Sequence, residues 1–134
     1  MNVRTESGDQ FDILVYAGAH ACEEADDDQD RGVHEYLGRR VAAGQRRFLV
    51  DVRDLRLVFG SSMGGLFHSW APTRAESVCR VAILWKPSPG TLDRWRLYVD
   101  QWLGLSKSGN AWTNEMRYFV AEDEAREFLL SDES

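Results

Sequence analysis

The chain has 134 residues, of which 16 are basic and 22 acidic, and its formal net charge is −6. This length suits a single domain spanning residues 1–134, because domains usually contain about 100 to 150 residues and a second domain would be too small to bury a core of its own. The hydrophobic fraction of 43% is that of a folded globular protein, the acidic charge disfavours binding to nucleic acid, and no apolar run approaches the ~20 residues needed for stable membrane insertion.

The first residues of the chain are polar and lack the apolar stretch of a secretory signal, which predicts a cytoplasmic protein. In that compartment Cys22 and Cys79 are expected to be free thiols. Cys79 lies beside an apolar segment and is expected to be a small buried residue.

Two extended segments at residues 3–6 and 11–17 are predicted to open the fold as a β-hairpin. They are joined by Ser7-Gly8-Asp9-Gln10, whose Gly and Asp favour a tight turn. The second segment is nearly continuous in apolar residues apart from Asp12, as in a strand that is buried on much of both faces.

The next segment predicts a helix over 28–43. Acidic residues gather before it, Arg39 and Arg40 lie near its end, and Gly44 follows at the position of a left-handed cap, all of which agree with the helix dipole and helix termination. Its apolar side chains recur at helical spacing, at Val33, Tyr36, Leu37 and Val41.

Two possible metal sites in this region fail on spacing. Asp26-x-Asp28-x-Asp30 begins like an EF-hand loop, but Arg31 stands where Gly is required and Leu37 where a bidentate Glu is required. His20, Cys22 and His34 are soft ligands, but they match the spacing of no zinc finger. We therefore expect no metal and no cofactor.

The remaining elements alternate between strand and helix. Apolar runs predict strands over 48–52, 78–85 and 116–120, and helical spacing predicts helices over 62–70, over 91–103 and around 125–129. Such alternation implies right-handed crossovers. The chain is thus predicted to be an α/β domain with a mixed, mainly parallel sheet of about five strands, an N-terminal hairpin and about four helices.

Three strand-to-helix joints in this order resemble the STAS fold, and within it the SpoIIAA-like (STAS/SEC14-type) family of small bacterial proteins. The first is the strand with the Asp51-Val52-Arg53-Asp54 step. The others are Arg80-Val81-Ala82-Ile83-Leu84 with the helix through Trp95, and Met116-Arg117-Tyr118-Phe119 with the helix through Phe128. The resemblance implies a non-catalytic binding or switching domain and, through its likeness to lipid carriers, an apolar pocket between sheet and helices.

In anti-sigma-factor antagonists of this fold, a Ser in an Asp-Ser-Ser-Gly type loop is phosphorylated. The matching segment here contains Gly60, Ser61, Ser62 and Gly64, with Gly60 where the family carries Asp. Ser61 and Ser62 are therefore candidate phosphate acceptors or part of an anion-binding loop, and a plain helix cap is the structural alternative. The segment also fits Gly-x-Ser-x-Gly of hydrolases, but no His follows His68, so a catalytic triad in the usual chain order is incomplete.

Five tryptophans in 134 residues require an explanation. If the crossovers are right-handed, several large apolar side chains gather near one end of the sheet. They form either ordinary core, the wall of an apolar pocket, or a patch that pairs two subunits as a homodimer. These residues are Met63, Phe67, Trp70, Trp85, Trp95, Tyr98 and Trp102.

The leading interpretation is a non-catalytic STAS-like module that binds a protein partner or an apolar small molecule. The alternatives are a phosphorylation switch at Ser61 or Ser62 and a small hydrolase that uses Ser62.

Overall fold

The structure is a computed structural model that describes residues 1–20, 24–57, 79–86 and 115–131. Five strands form one sheet in the order β1-β2-β3-β4-β5, and the described residues include two helices. The strands are β1 (Asn2–Glu6), β2 (Asp12–His20), β3 (Arg47–Leu57), β4 (Arg80–Leu84) and β5 (Glu115–Phe119), and the helices are α1 (Glu24–Ala42) and α2 (Glu122–Leu130).

The sheet has the predicted mixed, mainly parallel architecture. β1 pairs antiparallel with β2, and β2, β3, β4 and β5 pair in parallel. This confirms the N-terminal hairpin and the five strands. Of about four predicted helices, the described part of the chain contains two, and those predicted over 62–70 and 91–103 lie outside it.

The two helices lie on opposite faces of the sheet, since their apolar residues belong to two separate clusters. The α1 cluster receives Val33 and Leu37 from the helix, and the α2 cluster receives Ala125 and Leu129. From the sheet, the α1 cluster takes Leu14, Tyr16, Phe48, Val50, Val52, Leu55, Val81 and Ile83, and the α2 cluster takes Leu49, Ala82 and Leu84. β3 and β4 contribute to both clusters because successive strand residues point to opposite faces.

The C-terminus of α1 follows the sequence closely. Gly44 adopts a φ of 100°, where a side chain would be strained, and its amide donates to the carbonyl of Val41 at 3.0 Å. The Gln45 amide donates to the carbonyl of Arg40 at 2.9 Å. This pair of bonds is a Schellman motif, which confirms the predicted glycine cap.

Several predicted boundaries differ from the structure, and β2, for example, continues to His20 instead of ending at Ala17. The start of α1 and the end of β3 differ most. α1 begins at Glu24, about one turn before residue 28, because the acidic residues that we assigned to its approach are its first turns. β3 continues to Leu57 instead of ending at Val52. The reason is a bulge: Val15 pairs with Asp51 but Ala17 pairs with Asp54, so β3 carries one extra residue and its charges do not mark the end of the strand.

Candidate functional site

Most of the predicted site residues lie outside the described part of the chain. Trp85 is described: it is half-buried, it packs against the α1 cluster, and its amide donates to the carbonyl of Phe119 at 3.0 Å. The phosphate-loop and aromatic-pocket predictions therefore stay predictions. The residues outside are Gly60, Ser61, Ser62, Met63, Gly64, Phe67, Trp70, Trp95, Tyr98 and Trp102.

The most concentrated polar chemistry in the described residues surrounds Asp12, the first residue of β2, which is fully buried. Its Oδ2 accepts from the Tyr36 hydroxyl at 2.8 Å and from Arg40 Nε at 2.7 Å. Its Oδ1 accepts from Arg40 Nη2 at 3.1 Å, Gln45 Nε2 at 2.9 Å and the Gly8 amide at 3.0 Å. A buried carboxylate needs such compensation for its lost hydration. We call these five residues the Asp12 network.

The Asp12 network fixes the charge of its members. Burial alone would raise the pKa of Asp12, but the hydrogen bonds from Arg40, Gly8, Tyr36 and Gln45 together hold that pKa below its ordinary value. The pKa of Tyr36 is raised by burial and, to a smaller extent, by the hydrogen bond that its hydroxyl donates to Asp12. The pKa of Arg40 is raised by the hydrogen bonds that its guanidinium donates to Asp12. Asp12 is thus a carboxylate whose lone pairs are filled by donors, and such a group is a structural clamp and a poor general base.

The network clamps the hairpin turn against the C-terminal end of α1. Arg40 Nη2 and Gln45 Nε2 both donate to the Gly8 carbonyl, at 3.3 and 3.1 Å. The Ser7 hydroxyl lies 3.0 Å from the Tyr36 hydroxyl and donates to it, since Tyr36 donates to Asp12. A Cβ at Gly8 would lie 2.4 Å from the carbonyl oxygen of Phe11, so the turn requires glycine there.

A cavity of about 510 Å³, broadly open to solvent, lies beside this turn on the α2 face of the sheet. Phe11 and Ile13 of the α2 cluster supply its apolar surface, and Arg126 of α2 closes one side. The guanidinium carbon of Arg126 lies 5.3 Å from the centroid of the Phe11 ring, within cation–π range. The turn supplies the remaining wall, made of Glu6, Ser7, Gly8, Asp9 and Gln10.

The Asp51-Val52-Arg53-Asp54 step, which supports the family resemblance, forms the β3 bulge. The Asp51 carboxylate accepts from the backbone amide of Arg53 at 3.1 Å and from its guanidinium at 3.0 and 2.7 Å. The same guanidinium lies 3.7 Å from the Glu122 carboxylate at the start of α2. The side chains of this step therefore stabilise the bulge and connect β3 to α2.

Neither Cys79 nor a cluster of metal-ligating side chains offers a further site among the described residues. Burial raises the pKa of the Cys79 thiol to about 11, so it is a small core residue and not a nucleophile at neutral pH. Within ranges 1–20, 24–57, 79–86 and 115–131, three or more metal-ligating side chains nowhere come together. No helix in those ranges is long and apolar enough to cross a membrane.

Sequence reasoning missed the Asp12 network. Its signal was present, because a single acid in an otherwise apolar strand must find a partner once the strand is buried. The partners come from the far end of α1 and from the turn, however, and only the pairing of β2 with β3 brings them together.

The sheet has four parallel strands in sequential order and an antiparallel N-terminal edge strand. Each face carries one of the two helices found in the described part of the chain, which defines a mixed-sheet α/β protein. Comparison with solved structures then shows a SpoIIAA-like fold. The anti-sigma factor antagonist SpoIIAA in its unphosphorylated form matches with a TM-score of 0.56 and 12% identity, over 94% of this chain and 96% of that one.

Two further structures give the same result. The Bacillus cell fate determinant SpoIIAA in its phosphorylated form has a TM-score of 0.57 and 16% identity, over 94% of this chain and 97% of that one. An uncharacterized Shewanella loihica protein of the DUF3478 family, with a SpoIIAA-like fold, has a TM-score of 0.56 and 15% identity, over 96% and 92%. No family model and no curated protein matches the chain.

Proposed function

We propose that this protein is a non-catalytic regulatory module that acts by contact with a protein partner. The observation that carries the proposal is the SpoIIAA-like fold, which covers nearly the whole of this chain and of a protein described as an anti-sigma factor antagonist. Two buried ionisable groups, Asp12 and Cys79, are consistent with a role without catalysis. Asp12 is held as a filled carboxylate and Cys79 as a protonated thiol, so the fold uses both as structural residues.

The carboxyl edge of the parallel strands is the surface that we assign to the partner. In open α/β sheets this edge carries the loops that recognise ligands. Arg56 near the end of β3 and Lys86 just after β4 are both exposed at this edge. Residues 58–78, which include Ser61 and Ser62, follow β3 directly in the chain. A partner with an acidic surface would complement these two cations.

Affinity capture with charge-reversal variants tests the proposal. The chain is recovered from its own cells after mild crosslinking, and partners are identified by mass spectrometry. We expect a stoichiometric protein partner, and we expect Arg56→Glu to lower its recovery by about tenfold, because attraction becomes like-charge repulsion.

The matched control is Arg39→Glu, the same charge change at an exposed position in the last turn of α1. It should leave recovery of the partner unchanged. Equal losses in the two variants would contradict a contact at the carboxyl edge, and a chain recovered without any partner would contradict the proposal itself.

A phosphorylation switch is the second candidate, favoured by one observation: SpoIIAA, with the same fold, has been solved in unphosphorylated and phosphorylated forms. In this chain Ser61 and Ser62 are the acceptors that the sequence resemblance predicts. Incubation with cell lysate and ATP, followed by peptide mass spectrometry, should place phosphate on one of them and none on Ser7, which also lies in a Ser-Gly turn. Unmodified Ser61 and Ser62 would contradict the switch while leaving partner binding intact.

A further inference from the structure

The cavity beside the hairpin turn has the features of a binding site for a specific chemical class. We propose that it binds an organic cation, an ammonium or guanidinium group carried on an apolar stem. The shared chemistry has two sources: a free amine, or a Lys or Arg side chain of a protein partner. If the ligand is a side chain of a protein partner, the inference rests on the function proposed above. If the ligand is a free amine, the inference does not depend on that function.

The size and floor of the cavity suit such a ligand. Its volume of about 510 Å³ lies within the range of small-molecule sites. Phe11 and Ile13 are both half-buried on its floor and offer apolar contact for an alkyl stem. One cation, the guanidinium of Arg126, already lies over the Phe11 ring, so the ring provides a surface that accepts positive charge.

The charges of the cavity wall favour a cation over an anion. Arg126 is paired with Glu122 of the same helix, with Nε and Oε2 3.3 Å apart. Glu6 and Asp9 are exposed on the wall, and no described residue forms a hydrogen bond or an ion pair with either carboxylate, although Arg40, which is bonded to Asp12, attracts Asp9 electrostatically. An ammonium group between them would be attracted by two carboxylates and opposed by the guanidiniums of Arg126 and Arg40, each of which already has a carboxylate partner.

The wall is also preorganised, which separates it from an ordinary surface turn. Gly8, at the centre of the turn, donates its amide to the buried Asp12 and accepts two bonds at its carbonyl, from Arg40 and Gln45. A buried ionic network costs desolvation that apolar packing would avoid. Here the network fixes the backbone that carries Glu6 and Asp9, and a fixed wall lowers the entropy lost on binding.

Titrations with three five-carbon probes test the proposal. Binding is followed by NMR, from the shifts of the backbone amide signals of the turn. We expect n-pentylammonium to shift the signals of Gly8, Asp9 and Gln10, with a dissociation constant in the millimolar range, about the limit for so few atoms. Pentan-1-ol should bind at least several-fold more weakly. Pentanoate should not bind. Equal binding of the alcohol, tighter binding of pentanoate, or no shift with n-pentylammonium would each overturn the proposal.

Charge-neutral variants locate the site without removing the fold. Glu6→Gln and Asp9→Asn should each weaken n-pentylammonium binding by up to about fivefold, the size of one exposed ion pair. Glu35→Gln, at an exposed position of α1, should have no effect. If Glu6→Gln and Asp9→Asn both bind as the unmodified chain does, the assignment is wrong.

Blocked amino acids distinguish the two sources. Binding of Nα-acetyl-lysine methylamide, with none of the norleucine analogue, identifies a partner's side chain as the ligand. Binding of n-pentylammonium but not of the blocked lysine identifies a free amine. Because these titrations use no partner, their failure leaves the capture experiment unaffected, and a failed capture leaves the cavity assignment standing for a free amine.

Discussion

Replacing Tyr36 with Phe removes one hydroxyl from the Asp12 network and keeps the volume of the side chain. Tyr36 is 8% exposed, and its hydroxyl donates to Asp12 at 2.8 Å while it accepts from Ser7 at 3.0 Å. A hydrogen bond to a charged group stabilises a protein by about 1.5 to 3 kcal/mol. Asp12 keeps four other donors in the variant. We therefore expect Tyr36→Phe to lower the free energy of unfolding by about 2 kcal/mol, toward the lower half of that range.

Urea denaturation followed by tryptophan fluorescence measures this change. With a slope of about 1 to 3 kcal/mol per molar urea, the midpoint should fall by about 1 M while the slope stays constant. The control is Ser7→Ala, which removes the other hydrogen bond of the Tyr36 hydroxyl at an exposed position, and it should change stability by less than about 0.5 kcal/mol. A Tyr36→Phe variant as stable as the unmodified chain, or a larger loss for Ser7→Ala, would refute the reasoning.

Four further outcomes follow from the structure. The pKa of Asp12 is lowered on folding, so the stability that this carboxylate contributes is complete above the ordinary value of 3.8 and is lost as pH falls through the folded pKa. Asp12→Asn should therefore make the free energy of unfolding depend less on pH in acid. An unchanged pH dependence would argue against the Asp12 network. Gly8→Ala should destabilise by about 1 to 3 kcal/mol in urea, because its Cβ would meet a backbone oxygen, and a neutral result would contradict the turn geometry. Arg80→Met should cost about 2 kcal/mol in the same assay, since Arg80 donates to the Phe128 and Ser131 carbonyls at the end of α2, and no loss would show that these bonds do not stabilise it. Cys79, with its pKa raised to about 11, should resist iodoacetamide at pH 8 until the chain unfolds, as peptide mapping would show; rapid native labelling would contradict its burial.

The sheet, its parallel order and α1 could be predicted because their signals are local. Val33, Tyr36 and Leu37 recur at helical spacing and are all buried in the structure, and Gly44 ends the helix with the expected positive φ. The hairpin turn likewise follows from its Gly and Asp. Periodicity and turn chemistry act over a few residues, so they can be read without knowledge of the fold.

The bulge and the Asp12 network depend on pairing between distant segments, and so they could not be predicted. From the sequence, Arg53 indicates the end of a strand because it is charged. In the structure the bulge adds one residue to β3 at this point, so that Val52 and Leu55 both remain buried in the α1 cluster. Asp12 meets Arg40 only after β2 and β3 pair and α1 packs on them. The hydrogen bonds that define the cavity wall are therefore a property of tertiary structure.

Native mass spectrometry of the protein purified from its own cells tests the central claim most directly, because one spectrum separates the bare chain, a homodimer, a small-molecule complex and a complex with a protein partner. We expect the mass of a complex between this chain and a defined protein partner. A small apolar molecule or a second copy of the chain would instead support the aromatic-pocket and homodimer predictions for Trp70, Trp95 and Trp102. A spectrum that contains the bare chain alone would contradict a module that acts by contact with a protein partner.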